Sequence, residues 1–188
     1  MQMGGSIFRK WVGQHFANGW VKPSANDHGL LSRHDSIENI AKHLLNNGAI
    51  QTEEGITFIG WSYTGLIAQA LASLIEKNGI KSNLILLDSF YLNHFDISEK
   101  PKNSTEKVMF EFKAQPFDGQ ALLLKSCFFH QTTLQRWHKD SRNGWDERVM
   151  SQLQIQRLDD THHYQFFEVG SIAQTANRIR NWVEEKNK

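Results

Sequence analysis

The chain has a single cysteine, Cys127, so it contains no internal disulfide and must be held together by packing. One thiol is compatible with a reducing compartment, and Cys127 is expected to be a buried residue at a strand end. No apolar run approaches the roughly 18 residues of a membrane span. The cationic pair Arg9 and Lys10 has no apolar stretch behind it. Neither sign of charge is in excess: 21 Lys and Arg stand against 20 Asp and Glu, and the cations are scattered. A phosphate-backbone footprint is therefore absent, and neither nucleic acid nor a membrane is expected as a partner. There is no internal repeat. What remains is 188 residues, 39% of them hydrophobic, enough for one domain of ordinary size with a real core. The expectation is a single cytoplasmic domain over residues 1–188.

Periodicity predicts helix over Ile7–Ala17, a short strand at Gly19–Pro23, helix Ile37–Asn46, strand Ile56–Ile59 and helix Leu66–Lys77. Strand Asn83–Leu87, strand Ala121–Ser126, helix Asp146–Val149, strand Leu153–Leu158 and helix Ile172–Glu185 follow. This alternation is that of an α/β fold, a mainly parallel sheet flanked by helices with function at the C-terminal strand ends. Lys100-Pro-Lys-Asn-Ser-Thr-Glu106 is polar and rich in breakers, and reads as a mobile surface loop.

The most informative segment is Ile56-Thr-Phe-Ile-Gly-Trp-Ser-Tyr-Thr-Gly-Leu-Ile-Ala. An apolar strand ends at Gly60-Trp-Ser62 and a helical pattern begins at once, which is the form of a nucleophile elbow. Such a turn exposes the Ser62 hydroxyl at the sheet edge and aims the N–H of Tyr63 and the helix N-terminus at an oxyanion formed there. The general pattern Gly-x-Ser-x-Gly departs at Thr64, with a glycine one residue later at Gly65. Either the elbow is slightly opened or Gly65 takes over the close packing. The plain alternative is a buried strand-turn-helix with an incidental serine.

A serine nucleophile needs a base and an orienting acid, and folds with such an elbow supply them in the chain order Ser, Asp, His. Ser82-Asn-Leu-Ile-Leu-Leu-Asp88 ends a second buried strand in a carboxylate, one crossover after Ser62. The strand at Leu153 runs into Asp159-Asp-Thr-His-His-Tyr164, which offers His162 or His163 as the base. The remaining histidines invite a metal site from His28 and His34 or from His130 and His138. Neither pair has helical i, i+4 spacing or a cysteine partner, so no metal is expected and these side chains read as polar surface residues. Trp61, inside the elbow, either lines a substrate pocket or packs under the sheet edge.

These segments resemble those of the thioesterase domains that end nonribosomal peptide synthetase and polyketide synthase assembly lines, within the α/β-hydrolase fold. Gly60-Trp-Ser-Tyr is similar to the family's Gly-Trp-Ser-Tyr-Gly-Gly, and Leu86-Leu-Asp-Ser89 to its Leu-Leu-Asp-Ser. Asp35-Ser-Ile-Glu-Asn-Ile-Ala41 resembles the helix ahead of the nucleophile strand, and Met3-Gly-Gly-Ser6 the end of the oxyanion loop. Asn143-Gly-Trp145 and the pair His163-Tyr164 resemble the family's Gly-Trp and Gly-x-His-Tyr segments, which selects His163 over His162.

The resemblance implies an α/β-hydrolase-like domain lacking the first strands, with a short lid at about 90–119. It implies a triad of Ser62, Asp88 and His163, oxyanion donors at Tyr63 and Gly4, and no cofactor. The implied partner is an acyl or peptidyl carrier protein whose phosphopantetheine arm bears the small acyl or peptide substrate, released by thioester cleavage through an acyl-serine. A generic carboxylesterase and a non-catalytic remnant of such a domain are the alternatives.

Overall fold

The computed structural model of the protein describes residues 36–46, 56–95, 101, 104–128 and 138–186. Its elements are α1 (Ile37–Asn46), β1 (Ile56–Trp61), α2 (Thr64–Lys77), β2 (Ser82–Leu87), α3 (Ser104–Glu111), β3 (Ala121–Phe128), β4 (Leu153–His162) and α4 (Val169–Lys186). Short 3-10 turns lie at Leu92–His94 and His163–Gln165. The strands form one sheet in the order β1-β2-β3-β4, every neighbouring pair parallel, with Ile56 opposite Ser82, Leu84 opposite Ala121 and Ala121 opposite Leu153. Parallel pairing brings all four C-terminal strand ends to one edge, where side chains far apart in sequence can meet.

The run Leu84-Ile-Leu-Leu87 is apolar at every position because both faces of β2 are covered. Leu84 and Leu86 point to one side with Leu123, Ile37 and Ala41 of α1, and Leu66, Leu71 and Ile75 of α2. Ile85 and Leu87 point to the other with Leu122, Leu124, and Ile179 and Trp182 of α4. Among the described residues, α1, α2 and α3 lie on one face and α4 on the other, a three-layer α/β/α arrangement. Ser36 caps α1, its Oγ accepting the N–H of Asn39 at 3.1 Å. Trp182 fixes α4 to β4 through an indole N–H bond to Oε1 of Gln154 at 3.0 Å.

Several elements differ from the sequence expectation, each for a local reason. Helix α3 starts at Ser104, inside the stretch read as a loop, and buries Val108; Phe112 and Phe117 beyond it are buried against the same core. Asp146–Val149 is a turn rather than a helix. The Asp146 carboxylate accepts the N–H groups of Arg148 and Val149 at 2.9 and 3.1 Å, an Asx-type turn that replaces the helical ladder. Strand β4 continues through Asp159-Asp-Thr-His162, with a register irregularity opposite Ser126 and Phe128. Cys127 is exposed, not buried. Among the described residues β1 has a sheet neighbour on one side only. The expected helix Ile7–Ala17 and strand Gly19–Pro23 lie outside the described residues. No described helix is long and apolar enough to cross a membrane.

Candidate active site

The elbow is built by two glycines and a threonine. A Cβ on Gly60 would lie 2.4 Å from Cα of Gly65, and one on Gly65 would lie 2.3 Å from Oγ of Ser89. Strand and helix thus approach as closely as backbone allows, and Gly65, not Thr64, provides the close packing. Thr64 has another use. Its Oγ1 accepts the N–H of Trp61 at 2.9 Å and donates to the carbonyl of Trp61 at 2.6 Å, so one hydroxyl clips the last residue of β1 to the first turn of α2. Between these clips Ser62 has φ of 54°, in the left-handed region that an L-residue occupies at a cost, and its N–H extends the ladder to the carbonyl of Leu87 at 3.0 Å. Tyr63 directly precedes α2.

Asp88 follows β2 at the same sheet edge, fully buried and also at positive φ, 47°. Its Oδ2 accepts Nδ1–H of His163 at 2.9 Å and the hydroxyl of Ser126 at 2.5 Å. The proton is assigned to Nδ1 because a carboxylate partner favours that tautomer. Oδ1 accepts the N–H of Ser126 and Nδ2–H of Asn143, each at 3.3 Å. Burial pushes the Asp88 carboxyl up, but the hydrogen bonds from His163 and Ser126 and the nearby imidazoles outweigh it, and the net shift is downward. Asp88 is therefore ionised, and a four-bonded carboxylate of this kind can fix the plane of the His163 ring.

His138 stands on the opposite side of the acid, its Nε2 3.7 Å from Oδ1 of Asp88 and 3.3 Å from Oγ of Ser126. Burial lowers its pKa, partly offset by the charge of Asp88. It is not the surface residue its sequence context suggests. The loop 138–150 that follows is locked from within. Asp140 Oδ1 accepts the N–H groups of Arg142 and Gly144 at 2.9 and 2.8 Å, and buried Lys125 donates to the carbonyl of Asp140. Asn143, at φ 51°, and the Trp145 indole both donate to the carbonyl of Ser89, at 3.3 and 3.1 Å. Among the described residues, the three non-glycine positions at positive φ are Ser62, Asp88 and Asn143, all at this one edge.

Of the two adjacent histidines, His163 is the one that reaches Asp88; it is buried, whereas His162 is half-buried with its N–H bonded to Oε1 of Gln165 at 3.1 Å. Trp61 packs against His163 and also against the core cluster on that face of the sheet, which contains Leu87, Leu124 and Phe166. Its ring stacks on His163 with centroids 5.2 Å apart, and its indole N–H donates to the His163 carbonyl at 3.0 Å. Gly4 and the rest of the Met3–Gly5 segment lie outside the described residues. Sequence reasoning missed Ser126, Asn143 and His138 as partners of Asp88. Asn143-Gly144 is a turn dipeptide that signals a sharp bend, but nothing in the sequence says where the bend points. No group of three or more His, Cys, Asp or Glu among the described residues is arranged to hold a metal ion.

In three dimensions the chain is similar to thioesterase domains. The NocB thioesterase domain, in covalent complex with a fluorophosphonate nocardicin G analogue, gives a TM-score of 0.61 at 18% identity over 79% of this chain and 75% of that chain. The Vlm2 thioesterase domain bound with a tetradepsipeptide gives 0.55 at 14% identity, over 78% of this chain and 74% of that chain. Human thioesterase 2 gives 0.53 at 13% identity, over 79% of this chain and 80% of that one. The chain thus has the α/β-hydrolase-like fold of thioesterase domains. No protein-family model matches it, and no curated protein matches it in sequence.

Proposed function

We propose that the protein is a serine thioesterase that cleaves the thioester between an acyl or peptidyl chain and the phosphopantetheine arm of a carrier protein. The observation that carries this reading is the 2.9 Å bond between His163 and Asp88 at the strand-end edge where the elbow places Ser62 at φ 54°. His163, oriented by Asp88, takes the Ser62 proton as Oγ attacks the thioester carbonyl; the thiol leaves with the proton returned by His163, and an acyl-Ser62 ester remains. Water or an internal nucleophile of the acyl chain then releases the product. The oxyanion is held by the N–H of Tyr63 and one from the Gly4 segment, each worth roughly 3 kcal/mol of barrier. No cofactor enters the reaction. The similarity to domains that carry a nocardicin G analogue or a tetradepsipeptide supports an acyl or peptidyl substrate.

The test is reaction with a fluorophosphonate followed by peptide mass spectrometry. A single adduct on Ser62, absent from Ser62→Ala, supports the reading, and an unmodified Ser62 in folded protein overturns it. Faster turnover of a p-nitrophenyl ester than of an acyl-pantetheine thioester would redirect the assignment to a carboxylesterase.

A further inference from the structure

The residue that breaks the serine motif and the aromatic beside the serine form one connected device. Thr64 Oγ1 holds both backbone groups of Trp61. Trp61 in turn holds His163 twice, by an indole hydrogen bond to its carbonyl at 3.0 Å and by a stacked ring at 5.2 Å and 30°. The indole is braced on its other sides by edge contacts to Phe167 at 5.5 Å and Tyr164 at 6.2 Å. His163 is therefore fixed from three directions: Asp88 through Nδ1, the Trp61 N–H through the main chain, and the Trp61 face against the imidazole. The first is a bond to the acid; the other two originate in the elbow that carries Ser62.

We infer that Thr64 and Trp61 are positioning residues for His163, coupling the base to the nucleophile elbow, rather than residues of a substrate pocket. The inference rests on the serine mechanism proposed above and deepens it. A misplacement of about 1 Å at such a site can cost about 100-fold in rate, so the clamp's effect should appear in the chemical step and not in substrate affinity. It also gives the departure from Gly-x-Ser-x-Gly a consequence: restoring glycine at position 64 removes the clip and should impair the enzyme.

The experiment measures the maximal rate of Ser62 phosphonylation and the half-saturating concentration, with a short and a long fluorophosphonate. Ser62 Oγ displaces fluoride in this reaction, and its proton passes to His163. Thr64→Gly and Thr64→Val should lower the maximal rate about 10-fold, and Thr64→Ser, which keeps the hydroxyl, should restore it. Trp61→Phe, which keeps a ring but not the N–H, should fall about 10-fold, and Trp61→Leu about 100-fold. The half-saturating concentrations should stay within about twofold for both probes. A change confined to half-saturation, or one that grows with probe length, would make Trp61 a pocket residue and overturn the clamp. Independently of any labelling, proton NMR should show the downfield Nδ1–H of His163 in wild type and Thr64→Ser, broadened or lost in Thr64→Val and Trp61→Leu. An unchanged signal in those two variants also overturns the clamp. Failure of wild-type Ser62 to react would count against the serine mechanism, while the NMR comparison still decides whether the clamp orders His163.

Discussion

The hydroxyl of Ser126 and the Nδ1–H of His163 converge on the same oxygen, Oδ2 of Asp88, at 2.5 and 2.9 Å. Sharing that oxygen keeps the carboxylate ionised and leaves it one orientation. Removing the hydroxyl in Ser126→Ala should raise the Asp88 pKa toward its ordinary 3.8 and loosen the ring of His163. The expected loss in kcat is about 10-fold, with KM little changed. Stability carries a second signature. A depressed carboxyl pKa contributes stability that is present above the unfolded value and lost as pH falls through the folded one. Acid unfolding followed by circular dichroism should begin at higher pH in Ser126→Ala than in wild type, and coincident curves would show that the hydroxyl does not hold the carboxylate.

What the sequence makes legible is the part that repeats. The apolar runs of β1, β2 and β3 and the amphipathic faces of α2 and α4 mark buried elements, and the strand ends locate Ser62, Asp88 and the histidine pair. Edge and loop features resist such reading. Asp159 and Asp160 read as loop because both are exposed on β4, which among the described residues has a sheet neighbour on one side, yet its backbone still pairs with β3 as far as His162. His138 and Asn143 reach Asp88 only because of the three-dimensional path of loop 138–150, to which no periodicity applies. The use of Thr64 is hidden because its hydroxyl bonds to backbone, which leaves no pattern in neighbouring side chains.

His138 should make the fold sensitive to mild acid. Its environment includes the charges of Asp88, Lys125 and Arg157, and burial nets its pKa below the ordinary 6.5. Between the unfolded and folded values the unfolded chain binds more protons, so stability declines as pH drops through 6.5 toward the folded pKa. Substituting glutamine, His138→Gln, removes the titrating group while retaining a side chain able to bond Ser126. Thermal unfolding midpoints compared at about pH 7.5 and pH 5.5 should fall less in the variant than in wild type. Equal declines would exclude His138 as the source.

Lys125 predicts the opposite end of the pH scale. It is wholly buried and donates to the carbonyl of Asp140, and burial lowers its pKa from 10.5 to about 8. From pH 8 to 10.5 the unfolded chain holds a proton that the folded chain has released, so this residue makes stability rise with pH over that window. In Lys125→Met that contribution should vanish, and the difference in Tm between wild type and variant should therefore change between pH 8 and pH 10. A constant difference would show that Lys125 does not deprotonate on folding in this range.

The glycine contact at the elbow should be intolerant of a single methyl group. Gly60→Ala places Cβ 2.4 Å from Cα of Gly65 and 2.6 Å from the carbonyl oxygen of Thr64, both backbone atoms that cannot rotate away. The overlap must be relieved by separating β1 from α2, at a cost of about 1–3 kcal/mol. A lower Tm together with slower Ser62 phosphonylation is expected, because the strain falls on the segment that sets the serine's φ. Denaturant unfolding that leaves the midpoint unchanged would contradict the close approach.

The sharpest test of the acid compares two aspartates with different work. Asp88 bonds His163, whereas Asp140 spends its Oδ1 on the N–H groups of Arg142 and Gly144 and so shapes the loop that presents Asn143. Asp88→Asn keeps the size of the side chain but can present an amide N–H to His163, favouring the wrong tautomer, and kcat should fall by roughly 10⁴. Asp140→Asn keeps an oxygen that can accept the same two N–H bonds, so kcat should change by less than about 10-fold and any loss should appear in Tm. Steady-state kinetics on an acyl-pantetheine thioester, read beside thermal unfolding of both variants, separates the roles. If Asp88→Asn retained near-normal kcat while Asp140→Asn lost it, the acid would be Asp140, and the bond between Asp88 and His163 would be structural.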